Sequence, residues 1–260
     1  MRRRLVEWSV TWSFLAGIAA IWWFASAGSR STYYPPLSTI VSVFRHEWLF
    51  AHATSDLVPS LYRIGLGLGL SIVVGVSLGL VIGLSPAVRT TVEPALEFIR
   101  AIPATAVLPA FIVVLGITNV SKVAFIAFGA VWPILLNTIE GARGIDVEFH
   151  DVARVYHLGP VRRLVSVSIP AAIPQIFAGL RIAVSVAVLL VIYAEMFAST
   201  NGVGYFTLNA QTLFEIPQMW SGIFVLAILS YVLNGAYAAI EWKVLRWHRG
   251  WRSSQADAAA

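Results

Sequence analysis

Side chains that could support catalysis or bind a metal are few in this 260-residue sequence, and their spacing suits neither task. There are no cysteines, and the five histidines form neither an H-E-x-x-H pair nor another tight ligand set. The two lysines, Lys122 and Lys243, do not follow a glycine, so no P-loop for nucleotide phosphates can form. We therefore predict no catalytic residue, no metal site and no cofactor bound by this chain.

One segment imitates an enzyme motif. Residues 75–79 read Gly-Val-Ser-Leu-Gly, which matches the G-x-S-x-G of serine hydrolases and would make the chain an intramembrane enzyme. That motif needs a strand-to-helix elbow and a histidine partner, whereas this one lies in an apolar run. Small residues instead recur here every four positions, which predicts a surface for close helix packing; they are Ser71, Gly75, Gly79 and Gly83.

The elements that carry these residues are predicted to be membrane-spanning helices. Hydrophobic residues make up 58% of the chain and charged residues 12%, against about 25% charged in an ordinary soluble domain. This composition excludes a water-soluble monomer and a disordered chain. We predict an all-α polytopic membrane protein with one transmembrane domain over 1–260 and six helices. Their expected bounds are about 9–28, 64–86, 101–117, 122–139, 174–198 and 218–240.

Prolines modify two of these spans. Pro170 and Pro174 disfavour a regular helix, so the fifth span is expected to begin near Pro174. Pro103 and Pro109 predict a kinked third span, for which packing and bending during gating are equally good explanations. Residues 37–50 have apolar side chains at helical spacing and predict a short amphipathic helix that packs against the spans.

The basic residues indicate orientation. Of 18 lysines and arginines, 13 fall on the side of the N-terminus, and Arg30, Arg45, Arg63 and Lys122 fall on the other side. The positive-inside rule then places both termini in the cytoplasm. The basic residues form no patch suited to nucleic acid. Charge within the spans is predicted to be confined to Arg181 and Glu195, which lie roughly 21 Å apart along one helix. Helix-end snorkelling and a role in a translocation path explain this pair equally well.

Residues 140–173 form the only long cytoplasmic segment between the predicted spans. Apolar residues alternate with charges there, and Gly159-Pro160 predicts a helix, a sharp turn and a second helix. A solvated connector is the simpler explanation. The more specific one is a docking surface for a cytoplasmic partner.

This loop resembles the EAA motif of permease subunits from ATP-binding-cassette (ABC) importers. That motif has Glu-Ala-Ala, three residues, a glycine and then a distant proline. The corresponding residues here are Asp151, Val152, Ala153, Arg154, His157, Leu158 and Gly159, followed by Pro170. Asp151 replaces the glutamate, Val152 the first alanine and His157 the glycine. We expect Gly159 to take over the left-handed turn that this glycine allows.

Further segments resemble the nitrate, sulfonate, taurine and bicarbonate permeases within this family, over roughly residues 57–240. They are residues 100–103, 109–111, 133–138, 179–181, 194–196 and 202–205. The resemblance implies a type I ABC importer permease fold in a bacterial inner membrane. It also implies a pore of two permease copies, expected to be a homodimer, in contact with the lipid bilayer.

The partners that the resemblance implies are two ATPase subunits that bind ATP and Mg, and an extracytoplasmic solute-binding protein. The expected cargo is a small, anionic solute. Residues 151–154 and 157–159 would form the ATPase-coupling loop, and candidates for the translocation path are Arg181, Glu195, Pro103 and Asn137. An ion-coupled secondary transporter is the alternative function, since such proteins also carry ionisable groups in their spans.

Overall fold

A computed structural model describes residues 2–247, and this part of the chain is built from helices without strands. The helices are α1 (Arg2–Ser26), α2 (Leu37–His46), α3 (Val58–Leu84), α4 (Pro86–Arg100), α5 (Leu108–Leu115), α6 (Asn119–Arg143), α7 (Val147–Val155), α8 (Pro160–Arg163), α9 (Ile169–Ala198), α10 (Val203–Thr212) and α11 (Ile216–Val244). Wider, π-helical turns occupy Glu47–Ala51, Ala53–Leu57 and Leu164–Ser168, and a 3-10 turn occupies Ala104–Val107. The all-α prediction is confirmed.

The chain divides into two compact units. The first comprises Met1–Pro59 and Asn201–Ala227, and the second comprises Ser60–Thr200 and Ile228–Ala260.

Within residues 2–247, four helical stretches are long and apolar enough to cross a bilayer: Ala53–Leu84, Asn119–Arg143, Pro160–Ala198 and Ile216–Val244. The third predicted span, 101–117, differs from expectation. It is a 3-10 turn followed by the eight-residue α5, which is shorter than the roughly 20 residues that a crossing needs. Together with α4 it forms a pair bent by 81°. The predicted kink is therefore present as a break beside Pro103. The total of six spans remains a prediction.

The fifth predicted span begins earlier than its prolines suggested. The helix is continuous from Pro160 to Ala198 and passes through Pro170 and Pro174. The π-helical turn Leu164–Ser168 lies directly before Pro170. A wide turn breaks the regular i to i−4 hydrogen-bond pattern, so the missing N–H of a proline beside it costs less. The segment between α6 and this helix is correspondingly shorter than 140–173.

In the second unit, α6 packs between α3 and α9 at positions where one partner is a glycine. The predicted ridge on α3 is confirmed, because Gly75 and Gly79 are buried against α6. A Cβ on Gly79 would lie 2.5 Å from the Thr138 Cβ. On the other side of α6, a Cβ on Gly179 would lie 2.5 Å from the Pro133 carbonyl oxygen. Such close backbone approach is the usual basis of helix association in lipid.

The same packing explains the false enzyme motif. Residues 75–79 lie within α3, so the strand-to-helix elbow of a hydrolase is absent there. Ser77 is exposed on this helix, whereas the two flanking glycines face α6.

The first unit contains the predicted helix of residues 37–50, which appears as α2 and a π-helical turn. Ile40 and Trp48 are buried, which confirms packing, and the Trp48 indole donates to the Ser221 hydroxyl at 3.1 Å. The Asp56 carboxylate accepts from the Gly202 backbone N–H at 2.8 Å. Gly202 has φ of 114°, a conformation that favours glycine, and its turn leads into α10.

The glycine contact between α3 and α6 gives a direct prediction. Gly79→Ala should lower the stability of the folded chain by about 1–3 kcal/mol, because the new methyl group would overlap Thr138 and force the helices apart. Gly69→Ala in the same helix is the matched control, since its Cβ would meet nothing within 4 Å. Thermal unfolding in detergent measures both. Equal melting temperatures for the two variants would contradict the packing described.

Candidate coupling surface and translocation path

The sequence-predicted coupling residues lie on α7 and the turn that follows it. Ala153, which aligns with the second alanine of the EAA motif, is 2% exposed and anchors this helix. Asp151 and Arg154 are exposed and form an ion pair with each other, Nη1 to Oδ1 at 3.0 Å. Exposed pairs of this kind contribute little to stability. Both charges are accessible at the surface because the two side chains are exposed.

An apolar face of α7 and its turn is exposed. Val155 is 75% exposed and Tyr156 is 74% exposed. Phe149 and Val152 are also exposed, and their spacing of three residues places them along the same side of the helix. We call these four side chains the α7 apolar face. An exposed cluster of large apolar side chains is typical of an interaction site.

The left-handed residue of the turn is His157, not Gly159 as expected. His157 has φ of 49°, whereas Gly159 has φ of −62° and directly precedes α8. The Leu158 N–H donates to the Ala153 carbonyl and the His157 N–H to the Arg154 carbonyl, both at 3.0 Å. These two bonds form a Schellman motif, in which the left-handed position directly follows the helix cap. The register of this motif places the left-handed conformation at position 157, so Gly159 is two residues too far along the chain to adopt it in place of His157.

Asn137 lies on α6 beside Gly179 of α9. Its side-chain amide donates to the Pro133 carbonyl at 2.8 Å and accepts from the amide of Gln175 at 3.1 Å. Gln175 is exposed, although it lies in an apolar helix. Gln175 was not among the predicted site residues, because an uncharged polar residue five positions after Pro170 gives little signal. Gln175 is exposed and Asn137 half-buried, so this polar pair lies at the surface between α6 and α9, where polar side chains line an aqueous path if one is present.

Pro103 and Arg181 are separate from this pair. Pro103 is exposed at the break between α4 and the 3-10 turn. The Arg181 guanidinium is bonded to the Glu241 carboxylate on α11, although much of it remains exposed. The Tyr237 hydroxyl donates to the Phe177 carbonyl between the same two helices. Arg181 thus helps to hold α9 against α11.

Glu195 is fully buried in an ion-pair cluster. Its carboxylate accepts from Arg63 Nη1 at 2.6 Å and from the Ser60 hydroxyl at 2.9 Å to each oxygen. Arg63 is only 2% exposed and also donates through Nε to Asn119 Oδ1 at 2.9 Å. The cluster joins the first turns of α3 and α6 to the last turns of α9.

The prediction that charge within the spans is confined to Arg181 and Glu195 is therefore wrong. Arg63 and Lys122 are buried within the helices of the second unit, and the charges of Arg63 and Glu195 both act on Lys122. Both basic residues were expected on the outer side of the membrane. They lie within the first two turns of their helices, and side chains there can turn toward the neighbouring helices, so this position was the signal for burial.

Comparison with known proteins relates these features to one family. Residues 71–246 match the family described as binding-protein-dependent transport system inner membrane component. SsuC of Bacillus subtilis, named for aliphatic sulfonates transport, is 30% identical over 240 residues, or 92% of this chain and 84% of SsuC. TauC of Escherichia coli, a taurine transport system permease protein, is 27% identical over 90% of this chain and 88% of TauC.

A bicarbonate transport system permease protein, CmpB of Synechococcus elongatus, is 32% identical over 75% of this chain and 67% of CmpB. Among solved structures, a chain of the MetNI methionine ABC transporter in an inward-facing conformation matches with a TM-score of 0.61 at 20% identity. The match covers 73% of this chain and 94% of that one. This likeness supports the type I importer permease fold. The family match and the relatives together establish that this chain belongs to the inner membrane components of binding-protein-dependent transport systems, the multi-pass permease subunits of ABC importers.

Proposed function

We propose that the α7 apolar face is the surface on which an ABC ATPase subunit docks and drives this permease. The observation that carries this proposal is the exposure of Val155 and Tyr156 beside the buried Ala153. A short helix anchored on one side and apolar on the exposed side suits insertion into a groove of a partner. The ATPase binds ATP and Mg in this proposal, and the permease itself binds no cofactor and has no catalytic role.

The displacement would pass from α7 into the spanning helices. The Schellman motif and the continuous helix Pro160–Ala198 connect the α7 turn to α9 without a long flexible loop. Packed helices move as bodies because their interfaces do not deform continuously. Movement of α7 would therefore shift α9. It would also shift α6, because α6 packs against α9.

The translocation path is proposed to form between two copies of this chain in a homodimer, served by two ATPase subunits. The polar pair of half-buried Asn137 and exposed Gln175 supports a path beside α6 and α9. Pro103, at the 81° break, is a candidate hinge beside that path. Arg181 and Glu195 act as positioning residues, since each is bonded to another helix of the chain.

The cargo is proposed to be a small solute that carries an anionic oxygen-bearing group. SsuC is named for aliphatic sulfonates, TauC for taurine and CmpB for bicarbonate, and each of these solutes has such a group. An extracytoplasmic binding protein would deliver the solute and supply most of the selectivity. The family described as an inner membrane component, with relatives in Bacillus subtilis and Escherichia coli, supports a bacterial inner membrane location. The distribution of basic residues supports a cytoplasmic position for both termini.

We expect Val155→Asp to abolish most ATPase association, because a carboxylate would have to be desolvated in an apolar groove. The chain should still fold, since Val155 is exposed. Copurification of the ATPase with the tagged permease measures the effect. Leu213→Asp is the matched control, because this exposed leucine lies in the turn before α11, far along the chain from α7. Full ATPase recovery with Val155→Asp would contradict the docking proposal.

His157→Gly tests whether the turn or the imidazole matters for coupling. Glycine adopts the left-handed conformation without a Cβ penalty, so thermal stability should rise by up to about 1 kcal/mol. ATPase association and transport-coupled ATP hydrolysis should stay at the wild-type level. His157→Val is the counterpart, because a β-branched residue resists this conformation and should weaken both. If the glycine variant lost ATPase association, the imidazole itself would be the contact.

Removing one partner of the buried ion pair should be strongly destabilising. Glu195→Gln removes the carboxylate that pairs with the buried Arg63 and acts on the buried Lys122, and a loss of about 3–5 kcal/mol is expected. The double variant Arg63→Met, Glu195→Gln should recover part of this loss. Glu97→Gln is the control, since its pair with Arg100 is exposed and worth less than about 1 kcal/mol. Thermal unfolding of the wild type and the three variants measures these changes in stability. Equal stability of Glu195→Gln and Glu97→Gln would refute the role of the cluster.

A further inference from the structure

The second unit contains a cavity of about 420 Å³ at the helix ends opposite the Glu195 cluster. Its walls come from the end of α3, the start of α4, the end of α6, α8 and the π-helical turn that follows α8. This volume falls within the range of about 300–1,000 Å³ that is usual for small-molecule sites. Neither the coupling surface nor the proposed translocation path uses this cavity.

Three arginines line the cavity: Arg89 on α4, Arg143 on α6 and Arg163 on α8. None of the ten residues that line it within the described part of the chain is acidic. Arg143 has an exposed partner in Glu140 at 3.2 Å. Within residues 2–247, the Arg89 guanidinium has neither a hydrogen bond nor an ion pair. Arg163 also has a partner within the chain, so Arg89 is the guanidinium that a bound anion would supply with one.

Helix electrostatics explain only one of the three. Arg143 ends α6, where a cation is favoured by the helix dipole. Arg89 and Arg163 each occupy the fourth position of a helix, near the positive end, where a cation is disfavoured. A bound anion would offset this penalty at Arg89, whose guanidinium has no partner within residues 2–247. The buried Ser168 adds a hydroxyl to the same wall.

We infer that this cavity binds a phosphate-type oxyanion, held by the guanidinium forks of Arg89, Arg143 and Arg163. Guanidinium groups match the oxygen geometry of a phosphate and bond to it in pairs. The cavity lies where three spanning helices begin or end, which is the depth of lipid head groups. The head group of an anionic phospholipid is the source that fits this depth. A bound phosphate would hold α8, directly after the coupling turn, against α4 and α6.

The test measures binding of phosphatidylglycerol to the full-length permease in neutral detergent, by native mass spectrometry and thermal shift. Phosphatidylcholine and inorganic phosphate are the comparison ligands. Wild-type protein should prefer phosphatidylglycerol, and Arg89→Gln should bind it about tenfold more weakly. Arg89→Lys keeps the charge without the fork and should fall between them. Arg100→Gln, which removes a cation from the same helix outside the cavity, should bind like the wild type.

The comparison ligands identify the source of the anion. If inorganic phosphate stabilises the wild type while phosphatidylglycerol does not, and Arg89→Gln removes this stabilisation, the same site would bind a soluble phosphate. Equal phosphatidylglycerol binding by the wild type and Arg89→Gln would overturn the site, and so would an equal loss in Arg100→Gln. Melting temperatures in phosphatidylcholine separate misfolding from lost binding: if Arg89→Gln unfolds there, Arg163→Gln replaces it with the same expectation. These readouts require neither the ATPase nor transport, so they are independent of the proposed function.

Discussion

The close approach of α6 to its two neighbours is the constraint on which the second unit depends. Gly79 allows α3 to contact α6 on one side, and Gly179 allows α9 to contact it on the other. In lipid there is no hydrophobic gain from bringing apolar helices together, so backbone proximity and complementary shape must hold them. The three helices consequently form one packed layer. That layer fixes the Glu195 cluster near one set of helix ends, the Asn137 pair between, and the arginine cavity at the other set.

The two charged regions of this layer differ in how their charge is balanced. At one end, Glu195 is surrounded by donors, and its buried partner Arg63 has a second acceptor in Asn119. Such a network fixes the helix ends relative to each other, because a displaced partner would leave a buried charge uncompensated. At the other end, the arginines face a cavity without carboxylates. The charges of the first region are bonded to one another within the chain. In the second region Arg143 and Arg163 have partners of their own, and Arg89 is left for the proposed anion. This region lies next to the segment that the ATPase is proposed to move.

Periodicity and small-residue spacing predicted the helices of this layer and the face of α3 that packs. Gly159-Pro160, among apolar and charged residues, predicted the helix-turn-helix of the coupling segment. Local rules fail where tertiary contacts outweigh them. Arg63 appeared external because hydropathy measures composition and not the direction of a side chain. The fifth helix was expected to start at Pro174 because Pro170 seemed to exclude a helix before it. A π-helical turn upstream accommodates Pro170, and such a turn leaves no signature in the sequence.

His157 shows how a family motif can lose a residue and keep its geometry. A glycine at this position adopts the left-handed conformation at no cost, but the conformation is imposed by the bonds to Ala153 and Arg154. Histidine tolerates left-handed backbone better than most side chains, so the same turn forms at a cost of about 1 kcal/mol. What a coupling segment needs is a fixed angle between α7 and the helix that follows, since an angle that varied would absorb the displacement of the ATPase. The requirement for a fixed angle therefore acts on the turn, and it only partly determines which residue occupies position 157.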